Sequence, residues 1–331
     1  MSNKESNNPL APSAAESTSS NSWERSVIEK LALSAVKEQR ARRRWGIFFK
    51  LTALTIILVG FFTFFTYESS DAELQTAHTA LIEIDGTIEA GGGSGSAESV
   101  IPALNKAFLD TKAVGIILHI NSPGGSPVQA GMINDEINRL HKAHPKKPFF
   151  VVVGDMCASG GYYIAVAADK IFVNKASVVG SIGVLADGFG FTGLMEKLGV
   201  ERRLQTAGVN KGFMDPFSPQ SEKQKAYAQE MLNEIHQQFI DVVRKGRGTR
   251  LKENPDIFSG LFWTGAKAVE LGLADGFGTV DSVARNEFKA EDLVDYTQHE
   301  GLPERVLKKF GAEIGTGAIK SIMSMSGLRL R

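Results

Sequence analysis

The first group in this sequence that could do chemistry is a serine in a bend of small residues. Ser159 stands in Ala158-Ser159-Gly160-Gly161, after the apolar run 149–153 and before the apolar segment 162–168. The run is too short for a helix and rich in β-branched residues, so it reads as a buried strand that Gly154 and Asp155 close. The second segment reads as a helix. A serine where a strand turns into a helix has its hydroxyl lifted off the sheet edge. It then lies beside helix N–H groups that lack partners and favour negative charge. That placement suits the nucleophile of an acyl transfer. A plain turn with Ser159 as helix N-cap is the commoner use of such a motif, so the rest of the sequence has to decide.

A second bend repeats the grammar. The apolar run 114–120 ends in Asn121-Ser122-Pro123-Gly124-Gly125-Ser126, and a helical pattern follows. Proline restricts the backbone there, and two glycines let a partner approach the main-chain N–H groups closely. Such a loop can serve as an oxyanion hole or as an ordinary β-α connection.

A serine hydroxyl needs a base. The six histidines are His78, His119, His141, His144, His236 and His299, and none falls in a suitable loop. His119 lies inside a strand and reads as a packed histidine. His141 and His144 run into Pro145 and two lysines, which reads as a solvated helix end rather than a metal site. A lysine serves only when neutral, and an exposed one titrates near ~10.4. Burial lowers that value. Lys211 sits among apolar residues that could desolvate it, in a loop running from Thr206 to Pro216; the plain alternative is a solvated loop lysine. Cys157 shares a face of the extended chain with Ser159, but it has no histidine partner and reads as a packing residue. As the single cysteine it excludes an intramolecular disulfide and a cysteine metal cluster. No cofactor is expected.

Elements must position these groups. Strands are expected at 79–84, 114–120, 149–153 and 170–173, with extended chain at 202–205. Helices are expected at 98–110, 162–168, 195–198, 266–272 and 280–288. One more follows Ser126, with Met132, Ile133, Ile137 and Leu140 inward. A long helix starts at an N-cap, Ser218, followed by Pro219. Its stripe of Tyr227, Met231, Ile235, Phe239 and Val242 reads as core, and Gly246 ends it. The glycine-rich stretch 91–96 lacks the lysine of a P-loop and the spacing of a dinucleotide fingerprint, so it reads as a flexible loop. Alternating strands and helices imply an α/β domain with a mainly parallel sheet.

Charge is balanced, with 37 basic and 37 acidic residues among 331, so nucleic acid is not an expected partner. Residues 1–22 are too polar to fold, and 23–44 read as a charged helix. Residues 45–67 are apolar apart from Lys50, long enough to cross a bilayer with that lysine snorkelling. Arg40, Arg42, Arg43 and Arg44 precede the run; Glu68, Asp71 and Glu73 follow it. The expected order is therefore a cytoplasmic tail (1–44), a transmembrane anchor (45–67), a linker (68–78), an exported domain (79–290) and a C-terminal tail (291–331). A cleaved signal sequence fits less well, because more than forty residues precede the run.

Taken together, Asn121 to Gly125, Ala158 to Tyr163, Gly180-Ser181-Ile182-Gly183-Val184, and Lys211 ahead of Met214-Asp215-Pro216 resemble the short, single-domain bacterial signal peptide peptidases of peptidase family S49. The resemblance implies a Clp protease/crotonase-like spiral of β-β-α units. It implies a serine endopeptidase anchored in the inner membrane that degrades released signal peptides and other apolar, extended peptides. Ser159 would be its nucleophile, Lys211 its general base and Ser181 the hydroxyl that orients the lysine. The N–H groups of Gly124 or Gly125, and of Gly160, would form the oxyanion hole. It further implies a homo-oligomer, an octamer, in which serine and lysine come from neighbouring copies. A SohB-like peptidase of the same family and a non-catalytic peptide-binding scaffold of the same fold remain as alternatives. A crotonase-like acyl-CoA enzyme conflicts with the expected export, because coenzyme A is cytosolic.

Overall fold

The computed structural model of the chain describes residues 17–68, 76–91 and 93–298. The expectations for 1–16, 69–75 and 299–331 lie outside the described residues. The chain divides into two compact units at about residue 73.

The first unit holds α1 (Ser17–Glu68), one unbroken helix of 52 residues. The expected charged helix and apolar span are thus a single rod of about 78 Å at 1.5 Å per residue. Between Trp23 and Phe61 it holds only two glycines, the isolated Gly46 and Gly60, and no proline interrupts it. Among the described residues it is the one helix long and apolar enough to cross a membrane. Its length and composition fit a membrane anchor or a signal sequence.

The second unit is built on an eight-stranded sheet. Its strands are β1 (His78–Asp85), β2 (Ala113–Ser122), β3 (Phe149–Ala158), β4 (Lys170–Val173), β5 (Val178–Gly180), β6 (Phe262–Thr264), β7 (Gly276–Phe277) and β8 (Leu293–Asp295). The main path runs β6-β5-β3-β2-β1-β8, and β4 joins β3 to β7. All pairings are parallel except β5 with β6. The connecting helices are α2 (Ala97–Leu109), α3 (Pro127–Ala143), α4 (Gly160–Ala165), α5 (Thr192–Leu198), α6 (Glu222–Arg247), α7 (Gly265–Glu270) and α8 (Val280–Val283), the last running into a π-helical turn. This is the expected mixed α/β architecture with a mostly parallel sheet, consistent with the Clp protease/crotonase type. β8, at the start of the expected C-terminal tail, pairs with β1.

Alternation along the strands makes two cores. Ile82, Ile84, Leu118, Ile120, Val151 and Val153 face helical residues such as Leu104, Phe108, Ile133 and Tyr162. Ile117, Phe150, Val152 and Phe172 form a smaller layer under Val283 and Ala284.

β3 departs from expectation in a way that matters for the site. It does not stop at Gly154 but runs on to Ala158. Its first half pairs with β4, from Phe150 to Val152. Its last three residues pair with β5 instead, Ala158 opposite Gly180. Against β2 the register jumps between Ile120↔Val153 and Ser122↔Cys157. The extra residues at Gly154 and Asp155 form a bulge that bends the strand. The bend hands the strand from one neighbour to another and carries its tip to Ser159.

Other boundaries also move. α4 starts at Gly160, not Tyr162. α6 starts at Glu222, not at Ser218-Pro219, because Ser221 and Gln224 make a capping box. The Ser218 hydroxyl is engaged by Asp215 at 2.6 Å instead. Tyr227 and Met231 of the expected core stripe are exposed, as is Met132 on α3; Phe239 and Val243 are the buried apolar residues of α6. Residues 202–205 form no strand. The loop read as flexible is tied at two points: Ser94 Oγ donates to Asp85 O at 2.7 Å, and Ser96 caps α2.

Candidate active site

Ser159 stands between β3 and α4 with φ 51° and ψ −121°. A non-glycine residue at positive φ is strained by roughly 1–3 kcal/mol. Its backbone is nonetheless fixed at both ends. Ser159 N–H donates to Gly180 O at 2.8 Å, and its carbonyl accepts from Tyr163 N–H at 2.9 Å. By position it is the N-cap of α4, yet its side chain makes no capping hydrogen bond. No hydrogen bond engages the hydroxyl among the described residues, and the plain N-cap reading does not account for it.

The glycine loop lies against this serine. A Cβ placed on Gly124 would fall 2.6 Å from Ser159 Cβ and 2.8 Å from Gly160 N. One placed on Gly160 would fall 3.3 Å from Gly125 N. Only glycine permits this approach, and Gly124 is also at φ 103°. Gly124 N–H donates to Ser122 Oγ at 3.1 Å. Gly124 O accepts from Ile88 N–H at 2.9 Å, and Ser126 N–H donates to Ile88 O at 2.7 Å. Gly125 N–H and Gly160 N–H find no acceptor among the described residues. Two such donors beside the Ser159 hydroxyl can stabilise an oxyanion formed at that hydroxyl's target. Of the two candidates in the loop, Gly125 therefore has the free N–H, and that of Gly124 is taken.

Ser181 occupies the matching place on the next strand. It follows Gly180, the partner of Ala158, and has φ 52°. Its N–H donates to Leu261 O at 2.8 Å. Neighbouring strands lie about 4.8 Å apart, so the structure brings Ser181 alongside Ser159. His236 on α6, which sequence reasoning left unassigned, reaches Ile182 O at 3.2 Å and ties the segment after Ser181 to that helix.

Within one chain Lys211 makes no hydrogen bond to the serine among the described residues. It lies exposed in a run of turns, its N–H bonded to Gly208 O at 3.0 Å. No hydrogen bond joins its amine to Ser159 or Ser181 among the described residues. The expected desolvating neighbours are open too: Val209 is 93% exposed and Met214 46%.

His119 is half-buried and pairs with Glu83 at 3.4 Å. His141 is not a solvated helix end; its ring packs on Phe108 and Phe149, and burial lowers its pKa. Cys157 is fully buried, and burial pushes its thiol far up, which fits a packing residue. Among the described residues no cluster of three or more His, Cys, Asp or Glu side chains could hold a metal ion.

The model of peptidase family S49 matches residues 141–294, a span that includes Ser159, Ser181 and Lys211. A Na(+)/H(+) antiporter NhaA of Brucella abortus is 43% identical over 241 residues, which cover 71% of this chain and 33% of that protein. A protein of Enterococcus faecium provisionally named signal peptide peptidase SppA is 32% identical over 60% of this chain and 58% of its own length. A protein of Synechocystis sp. provisionally named a protease is 30% identical over 60% of this chain and 69% of its own. The chain thus spans a third of the first relative and under two thirds of the second. With the family pattern running through both serines and the lysine, and more than two thirds of the Synechocystis protein matched, the chain belongs to peptidase family S49.

Proposed function

We propose that this chain is a serine endopeptidase that hydrolyses apolar, extended peptides, released signal peptides among them, through an acyl-enzyme on Ser159. The reading rests on one observation above all. A strained serine whose hydroxyl makes no hydrogen bond among the described residues lies beside two N–H donors that find no acceptor there. In the reaction, Ser159 Oγ attacks the scissile carbonyl while a neutral lysine amine takes its proton. Gly125 and Gly160 N–H receive the oxyanion. The same lysine then protonates the leaving amine, and water releases the acyl group by the reverse sequence.

The base is Lys211 of a second copy. Segment 185–217 presents Leu185, Phe189, Leu198 and Val209 to solvent, and such apolar surface is usually covered by a partner. Assembly into a ring, an octamer, would bury this arm and deliver the amine to the neighbouring Ser159, with Ser181 to orient it. The apolar part of α1 anchors the ring in the bacterial inner membrane with its N-terminus in the cytoplasm and the catalytic unit outside.

The full chain in detergent, with an apolar peptide substrate, tests this. Ser159→Ala and Lys211→Ala should each abolish turnover. Co-assembly of the two inactive variants should restore activity at about a quarter of the sites, if copies mix at random in a symmetric ring. Wild-type turnover by either single variant overturns the dyad. The exposed position of Lys211 favours a second reading, a peptide-binding scaffold without catalysis. A fluorophosphonate probe separates the two, since a scaffold stays unlabelled.

A further inference from the structure

The loop facing Ser159 is held by the backbone of Ile88 and by one side chain. Ser122 is fully buried at the end of β2. Its Oγ accepts the Gly124 N–H at 3.1 Å. One peptide unit further on, Gly124 O is held by Ile88 N–H at 2.9 Å. A trans peptide is planar, with its C=O and N–H pointing in opposite directions. Holding Gly124 O toward Ile88 therefore aims the next N–H, that of Gly125, the other way. Gly160 lies close to that nitrogen: a Cβ added to it would lie 3.3 Å from Gly125 N. Gly124 has no side chain to resist rotation, and at φ 103° it sits where glycine moves freely. Ser122 holds the preceding Pro123–Gly124 peptide; without that tether Gly124 is free to pivot, and the bond from Ile88 alone is left to aim the Gly125 N–H.

Building on the serine-peptidase reading above, we infer that Ser122 is the positioning residue of the oxyanion hole. It touches neither substrate nor the reacting atoms. It fixes the Pro123–Gly124 peptide, as Ile88 fixes the Gly124–Gly125 peptide through Gly124 O, so that the Gly125 N–H is presented to the tetrahedral intermediate. A buried hydroxyl with this one assigned task would leave an unsatisfied N–H if removed.

The test uses the full chain in detergent, a fluorophosphonate probe that phosphonylates Ser159, and an apolar peptide substrate. The phosphoryl oxygen of the bound probe takes the oxyanion position, so the labelling rate reads the hole directly. Wild type must label at Ser159; if it does not, the peptidase reading fails and this inference with it. With wild type labelled, Ser122→Ala should label at least tenfold more slowly and lose kcat by a similar factor, with KM within about twofold. Ser122→Cys keeps the size with a weaker acceptor and should fall between the two. It also keeps the test open if the alanine variant does not fold. Labelling of Ser122→Ala within twofold of wild type overturns the inference. So does a rise in KM with kcat unchanged, or a cysteine variant indistinguishable from wild type.

Discussion

Ser159 and Ser181 carry the same backbone distortion, φ 51° and 52°, one step beyond the paired residues Ala158 and Gly180. Strain repeated at equivalent points of adjacent strands marks a site held by its surroundings. Gly125 shows how tight the hold is. A Cβ there would fall 2.1 Å from Ile88 O, so Gly125→Ala must push the loop off the strap at Ile88. Steady-state kinetics should show kcat down by about 10²–10³, the usual cost of an oxyanion donor, with a smaller change in KM. An unchanged kcat would remove Gly125 N–H from the hole. Lys211 makes a sharper chemical prediction. Arginine keeps the positive charge but does not deprotonate in proteins. Lys211→Arg should therefore be as inactive as Lys211→Ala, and an active arginine variant would exclude a neutral amine as base.

At the level of elements, α6 links the arm bearing Lys211 to the body, and its C-terminal end is latched. Arg247, 1% exposed, donates Nη1 and Nη2 to the Asp275 carboxylate, each at 2.9 Å, and Nε to Gly272 O at 2.8 Å. Gly246 backs onto α4, where a Cβ would fall 2.1 Å from Val166 O. Burial alone would raise the Asp275 pKa. The Arg247 hydrogen bonds and charge, the Ile171 N–H and the Arg250 charge outweigh burial and hold it below the usual carboxylate range. The pair's contribution is thus present above the unfolded carboxylate pKa of about 4 and is lost as pH falls through the lower folded value. Asp275→Asn should cost about 3–5 kcal/mol near neutrality, as expected when one partner of a buried pair is removed. It should also flatten the fall in thermal stability below pH 4, which melts across that range would reveal. This latch was not legible in the sequence, because Arg247 and Asp275 look like ordinary surface charges and meet only in three dimensions. Strands β1 to β4, the serine bend and the glycine loop were legible, since periodicity and glycine act locally; β5 to β8, of two or three residues each, are too short to show a period. β3 was cut short because Gly154-Asp155 carries the composition of a turn, while the actual bulge depends on its having one neighbour before the bend and another after it. The start of α6 was misplaced because two serines competed for the cap and Asp215 had engaged the first.

Across the whole molecule, the catalytic groups expected in the sequence divide between a tightly packed sheet and an arm that packs little. Phe189 is 81% exposed and Leu198 68%, so a charge at either position costs the single chain little. Phe189→Glu and Leu198→Glu should therefore leave the melting temperature within a degree or two. They should lower the assembly size seen by analytical ultracentrifugation in detergent, and turnover should fall with it. Full-size assemblies in both variants would remove the arm from the subunit interface. The burial of Cys157 against the sheet has a practical consequence. The chain's sole thiol is sealed from solvent and unwilling to ionise, so maleimides and iodoacetamides should leave the wild-type protein unmodified and active. A cysteine introduced at Val209 would then be the single reactive handle on each copy, and paired spin or fluorescent labels there would measure copy-to-copy spacing in the proposed assembly.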